Sequence, residues 1–205
     1  MGYDFDKTHD AILSSAMKRF LEEDFQKASI RKICKDAGVT NGAFYAHFDS
    51  KDDLFRALAD PVLNGLQELY TTEKALYADV HSSEEILSVM KKAFSSDQVM
   101  VHYVYEHADV FRLLLTAGNG TSYENFRENI VREEEQGTIA FLEQCRPYIG
   151  NPEHISNNII SQISSVIVSS VFDCFLTGKT EDETIRETQL ASEFCLAGLK
   201  QILDL

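Results

Sequence analysis

Apolar residues recur at helical spacing along most of the chain, and no alternating run of the kind that builds a half-buried strand stands out. Ile12, Leu13, Ala16, Phe20 and Leu21 stripe a first helix over about residues 7–23. Ile30, Ile33, Cys34 and Ala37 fall at i, i+3, i+4 and i+7 and stripe a second, which Ser29 is placed to cap. Gly38 ends that helix, because glycine takes a left-handed backbone without steric penalty. Thr40 then caps a short third helix. In it Phe44 and Phe48 lie one turn apart on the inner side, leaving Asn41, Gly42, Ala43, Tyr45 and His47 to point outward.

A fourth helix starts at Ser50, with Asp53 in the capping-box position, and carries Leu54, Phe55, Leu58, Val62, Leu66 and Leu69 toward residue 77. Pro61 lies inside it and predicts a kink or break, since an interior proline costs about 3 kcal/mol. Beyond it the pattern predicts helices from Ser82 or Ser83 through Phe94 and over Val99 to Ala117, then a turn at Ala117-Gly118-Asn119-Gly120. Further helices are expected at about Ser122–Cys145, His154–Thr177 and Glu181–Leu203. The stretch ISQISSVIVSSVF is apolar or small nearly all round and calls for burial on several sides. In the last helix Ile185, Leu190, Phe194, Leu196, Leu199 and Ile202 are the apolar positions. The fold class is therefore all-α.

Charge qualifies any function built on this pattern. The net charge is −14, yet residues 60–205 hold 10 basic against 23 acidic side chains, while residues 1–59 are near balance. Within 25–51 the cations Lys27, Arg31, Lys32, Lys35 and Lys51 outnumber Asp36 and Asp49, a small local basic patch on an acidic protein. Cys34, Cys145, Cys174 and Cys195 are too scattered for a zinc framework and read as core thiols of a reducing compartment. The N-terminal decapeptide has no apolar signal region and no run of eighteen apolar residues occurs, so a soluble, cytoplasmic protein without membrane partners is expected.

Two helices around a glycine turn form the helix-turn-helix pattern, whose second helix enters the DNA major groove. Asn41 suits a bidentate contact to adenine, Gly42 and Ala43 permit close backbone approach, and Tyr45, His47 and Arg31 suit contacts around them. Lys51, beside exposed backbone donors at a helix start, suits a phosphate.

The run AGVTNGAFYAHFDSKDDLF, residues 37–55, resembles the signature of the TetR/AcrR family of bacterial transcriptional regulators. The resemblance covers about residues 8–58. It implies an N-terminal three-helix DNA-binding domain at 1–50 and a helical ligand-binding and dimerisation domain at 51–205, with the helix from about 51 to 77 as connector. It also implies a double-stranded DNA operator contacted by Arg31, Thr40, Asn41, Gly42, Ala43, Tyr45, His47 and Lys51. Ala43 departs from the hydroxyl common in the family, and no Arg or Lys lies between 40 and 47, which limits guanine readout.

The resemblance further implies a homodimer through the last two helices and a small-molecule effector. Phe94, His102, Tyr105, Phe111, Arg112, Tyr123, Phe126, Phe172 and Phe175 are the expected lining of its pocket. Arg112 suits an anionic effector group or an ion pair with Glu106 or Asp109. No cofactor, metal or catalytic residue is expected, for the chain has no phosphate loop and no nucleophile elbow. The expected function is a ligand-responsive regulator, a repressor released from a palindromic operator. The rival is a helical metal-binding protein or enzyme using His102, Glu106 and His107.

Overall fold

The computed structural model describes residues 2–74 and 80–205, with side chains described at 5–71, 80–93 and 98–205. All regular structure among them is helical: α1 Gly2–Lys27, α2 Ile30–Ala37, α3 Asn41–Tyr45, α4 Lys51–Lys74, α5 Ser83–Glu106, α6 Ala108–Thr116, α7 Phe126–Cys145, α8 Asn157–Leu176 and α9 Glu181–Leu203. Short 3-10 turns at Arg146–Tyr148 and Pro152–His154 join α7 to α8. The chain packs as two compact units, one of Met1–Leu66 with His107–Phe126, the other of Gln67–Glu106 with Arg127–Leu205.

The first unit, hereafter the head, is built on a dry aromatic centre. Ile12, Phe20, Ile33, Phe44, Leu54 and Phe55 are fully buried, and the rings of Phe20, Phe25 and Phe55 meet at centroid distances of 5.5 to 5.7 Å. Asp24 breaks the end of α1 with a positive φ of 66°. Residues 117–126 belong to this unit: Asp52 accepts from the Ser122 backbone at 2.9 Å and from its hydroxyl, Tyr123 donates its hydroxyl to Asp60, and the Tyr123 ring stacks on Phe55. α4 runs on through Pro61 as one helix, so the expected break does not occur there.

In the second unit α9 lies antiparallel to α5. Tyr105 near the end of α5 meets Thr184 near the start of α9, while Ile86 and Met90 share a core cluster with Leu199 and Leu203. α8 is apolar enough over its 20 residues, at a hydropathy of 1.8, to span a bilayer by composition alone. It instead packs along α9, with Ile160, Ser164, Val168, Val171, Phe172 and Phe175 buried.

The orientation of α9 corrects the apolar stripe read from its sequence. Its buried residues are Thr184, Thr188, Ser192, Cys195, Leu199 and Leu203, whereas Leu190 is 64% and Phe194 78% exposed. Thr184 bonds the Tyr105 hydroxyl at 2.7 Å. Among the described residues the buried Thr188 hydroxyl has no hydrogen-bond partner, a destabilising arrangement of about 1–3 kcal/mol.

Element boundaries moved where side-chain caps, rather than stripes, decide them. α5 continues across 95–98 and stops at His107, and Phe126 rather than Ser122 begins α7 because Thr121 Oγ bonds the Gly118 carbonyl at 2.6 Å and Tyr123 N at 3.0 Å in a tight turn. All four cysteines are buried and free.

Candidate nucleic-acid interface

Each end of α2 and the start of α3 are fixed locally. The Ser29 side chain accepts from Lys32 N at 3.3 Å, and Gly38 adopts φ 70° while its N–H and that of Val39 close on Lys35 and Cys34 carbonyls. Thr40 Oγ accepts from Ala43 N at 3.1 Å. Thr40 is thus the cap of α3, its hydroxyl oxygen already engaged. α1 is held to α2 by Ser15 Oγ donating to the Ile33 carbonyl at 2.9 Å, and by Arg19 bridging Asp36 and Glu23, with Lys32 on Glu23 at 3.0 Å. Asp36 and then Glu23 hold the Arg19 guanidinium above its ordinary range, Arg19 holds the Asp36 carboxyl below its own, and Lys32, followed by Arg19, does the same for Glu23.

This frame turns one face of α3 outward. Phe44 is fully buried and Phe48 nearly so, while Asn41 and Gly42 are exposed, Ala43 is half-buried and Tyr45 is 59% exposed. A Cβ built on Gly42 would meet only Thr40 Oγ, at 3.8 Å, so the fold itself leaves room for a side chain there. Glycine inside a helix is less favourable than alanine by about 1 kcal/mol. The space that glycine keeps open is on the outer side.

Two of the expected contacts, Lys51 and His47, are engaged within the protein. Lys51 does not stand free at the start of α4: its Nζ donates to the carbonyls of Phe25 at 2.6 Å and Ala28 at 2.9 Å and sits 4.3 Å from the Phe25 ring centre. It caps the end of α1, and burial lowers its pKa. In this structure the Lys51 donors are thus directed to the end of α1. His47 is half-buried beneath Phe5, ring centres 3.9 Å apart, with its buried Nδ1 unpartnered among the described residues; burial and the neighbouring His9 lower its pKa. Arg31 remains exposed. Lys35, one turn on, is exposed as well and was not among the expected contacts, though its i+4 spacing from Arg31 was legible.

The expected effector residues do not gather in one unit. Phe111, Arg112, Tyr123 and Phe126 belong to the head, and His102, Tyr105, Phe172 and Phe175 to the second unit; the side chain of Phe94 lies outside the described residues. Phe111 and Phe126 are core, their rings 6.2 Å apart. Tyr123 is pushed up to about 12 by burial and then by its bond to Asp60. Arg112 is exposed. In the second unit Phe172 and Phe175 are buried, and Tyr105 meets Phe175 edge-on at 5.4 Å while donating to the Lys179 carbonyl at 2.7 Å.

The rival metal cluster is not assembled. His102 Nδ1 pairs with Glu181 at 2.9 Å on an exposed surface, His107 begins α6, and among the described residues no three His, Cys, Asp or Glu side chains are grouped to hold an ion.

Comparison with known proteins bears on the same segment. Residues 12–58 match the model of the bacterial regulatory proteins of the tetR family. An "uncharacterized HTH-type transcriptional regulator" of Haemophilus influenzae is 26% identical over 168 residues, 82% of this chain and 75% of that protein. Among solved structures, NalD of Pseudomonas aeruginosa, the secondary repressor of the MexAB-OprM multidrug efflux pump, superposes with a TM-score of 0.62 at 19% identity, covering 94% of this chain and 97% of NalD. A TetR-family transcriptional regulator of Bordetella parapertussis gives 0.59 at 17% identity, covering 96% and 94%. The matched segment runs from the buried face of α1 into α4, and the likeness of fold to solved regulators of the tetR family extends along nearly the whole chain.

Proposed function

We propose that this protein is a homodimeric, DNA-binding transcriptional regulator, a repressor that a small molecule releases from a palindromic operator. The observation that carries the DNA reading is the outward face of α3, where Asn41 and Tyr45 are exposed over a buried Phe44. In this reading residues 1–50 read DNA and 51–205 bind effector and dimerise, with the helix beginning at Lys51 as connector. Val166 of α8 and Leu190 and Phe194 of α9 are large apolar side chains left in water, which supports pairing of those two helices with a second copy. A dimer sets two reading helices about 34–36 Å apart, one DNA turn. NalD's role as a repressor supports the sign of regulation.

The aromatic side chains of the second unit, Tyr105, Phe172 and Phe175, are the proposed effector contacts there. An effector acts only if it prefers one dimer shape over the other, since equal affinity for both moves no population. A cytoplasmic site of action follows from this function, and no catalytic role is assigned.

Genomic fragments retained by the purified protein supply the operator for a fluorescence anisotropy assay. Asn41→Ala and Tyr45→Ala are each expected to weaken binding about tenfold or more with helicity unchanged. Wild-type affinity in both variants overturns the assignment of α3.

A further inference from the structure

The chemistry of the α3 face restricts which DNA it suits. From Val39 to Ser50 there is no Lys or Arg, the residues that pair with the O6 and N7 acceptors of guanine. Thr40 Oγ accepts the cap bond from Ala43 N, so its exposed hydroxyl can still donate and suits a phosphate beside the groove, while His47 is held under Phe5. Besides that hydroxyl, the outward face carries one carboxamide, Asn41, with the small surfaces of Gly42 and Ala43 and the ring of Tyr45. A carboxamide matches adenine, accepting from N6 and donating to N7, while methyl and ring surfaces match the thymine methyl.

The cations of the head do not change this. Lys32 is on Glu23, Arg19 on Asp36 and Glu23, Lys51 on backbone carbonyls and Lys27 on Asp24 at 3.3 Å. Arg31 and Lys35 are exposed on α2 itself, where they suit phosphates flanking the groove.

Resting on the DNA-binding reading above, we propose that the operator half-site presents A·T base pairs to α3. Asn41 reads one adenine, Gly42 gives the clearance for a thymine methyl to reach Ala43 and Tyr45, and Arg31 with Lys35 holds the adjacent backbone. Specificity for guanine is absent from this contact.

Selection of bound duplexes from a randomised pool by the intact protein tests this. Two inverted half-sites are expected, each with an uninterrupted A·T segment containing one adenine whose preference disappears in Asn41→Ala. Replacing that adenine by 7-deazaadenine, which lacks the N7 acceptor, is expected to weaken wild-type binding about tenfold and leave Asn41→Ala unchanged. Gly42→Ala, which the fold accommodates, is expected to keep helicity and melting temperature while losing operator binding about tenfold or more. Guanine or cytosine enriched at the positions that respond to Asn41→Ala overturns the inference and leaves the regulator reading standing. A folded protein that enriches no duplex overturns both.

Discussion

α3 and α9 each leave one face uncovered, and the two faces are opposites. On α3 the aromatic anchor Phe44, with Phe48 just past its end, goes inward, and a carboxamide, a phenol and small residues remain in water. On α9 the hydroxyls of Thr184, Thr188 and Ser192 go inward, and Leu190 and Phe194 remain in water. A helix that only had to stabilise its own unit would bury the leucine and the phenylalanine, worth about 1.5–3 kcal/mol each. The difference teaches what each face awaits: unengaged hydrogen-bonding groups suit a polar groove, and stranded apolar surface suits another protein surface of the same kind.

The sharpest way to break the comparison is to damage one face at a time. Phe44→Ala empties the anchor beneath α3 and is expected to destabilise the head by about 3–5 kcal/mol in urea denaturation. Operator binding should vanish while sedimentation still reports the native oligomer. The converse variant, Leu190→Glu with Phe194→Glu, is expected to give a folded monomer in sedimentation velocity with operator affinity lowered about a hundredfold, because each half-site is then bound singly. A dimeric double variant would remove α9 from the interface.

A smaller effect probes the inner side of α9. Thr188→Val keeps the shape and removes a buried hydroxyl that has no partner, so it is expected to raise stability by about 1 kcal/mol on thermal melting. Loss of stability instead would mean that the hydroxyl is satisfied in solution.

The smallest effect contrasts one histidine from each unit. Burial and then His9 lower the pKa of His47, whereas the hydrogen bond to Glu181 raises that of His102. Neutral His47 is the favoured folded form, so between its lowered pKa and about 6.5 the unfolded chain holds the extra proton and this contribution weakens as pH falls. Protonated His102 is the paired form. Its contribution is complete below about pH 6.5 and is lost as pH rises through the raised value. NMR titration of the two imidazoles is expected to give midpoints on opposite sides of that value; midpoints on the same side would erase the contrast.

How legible each region was depends on how local its determinants are. Ser29, Gly38 and Thr40 act within three or four residues of themselves, so the helix pair and its inner anchors were readable in advance. Lys51 was not, because the carbonyls that hold it come from residues 25 and 28, and a lysine at a helix start looks the same whether it faces phosphate or protein. The bond of Tyr123 to Asp60 was hidden for the same reason, its partner lying 63 residues away. The stripe of α9 failed because periodicity identifies an apolar face but not which neighbour covers it. Boundaries at His107 and Phe126 depended on turn hydrogen bonds that composition does not reveal.

The seat of Lys51 gives the head a built-in reporter of its own opening. Its desolvated amine is easier to deprotonate than an ordinary lysine, yet carbonyl oxygens from the end of α1 surround it. An acylating reagent should therefore modify exposed Lys35 faster than Lys51, whose label rises when that end lifts, so the ratio of the two labels follows the fraying of the seam between α1 and α4.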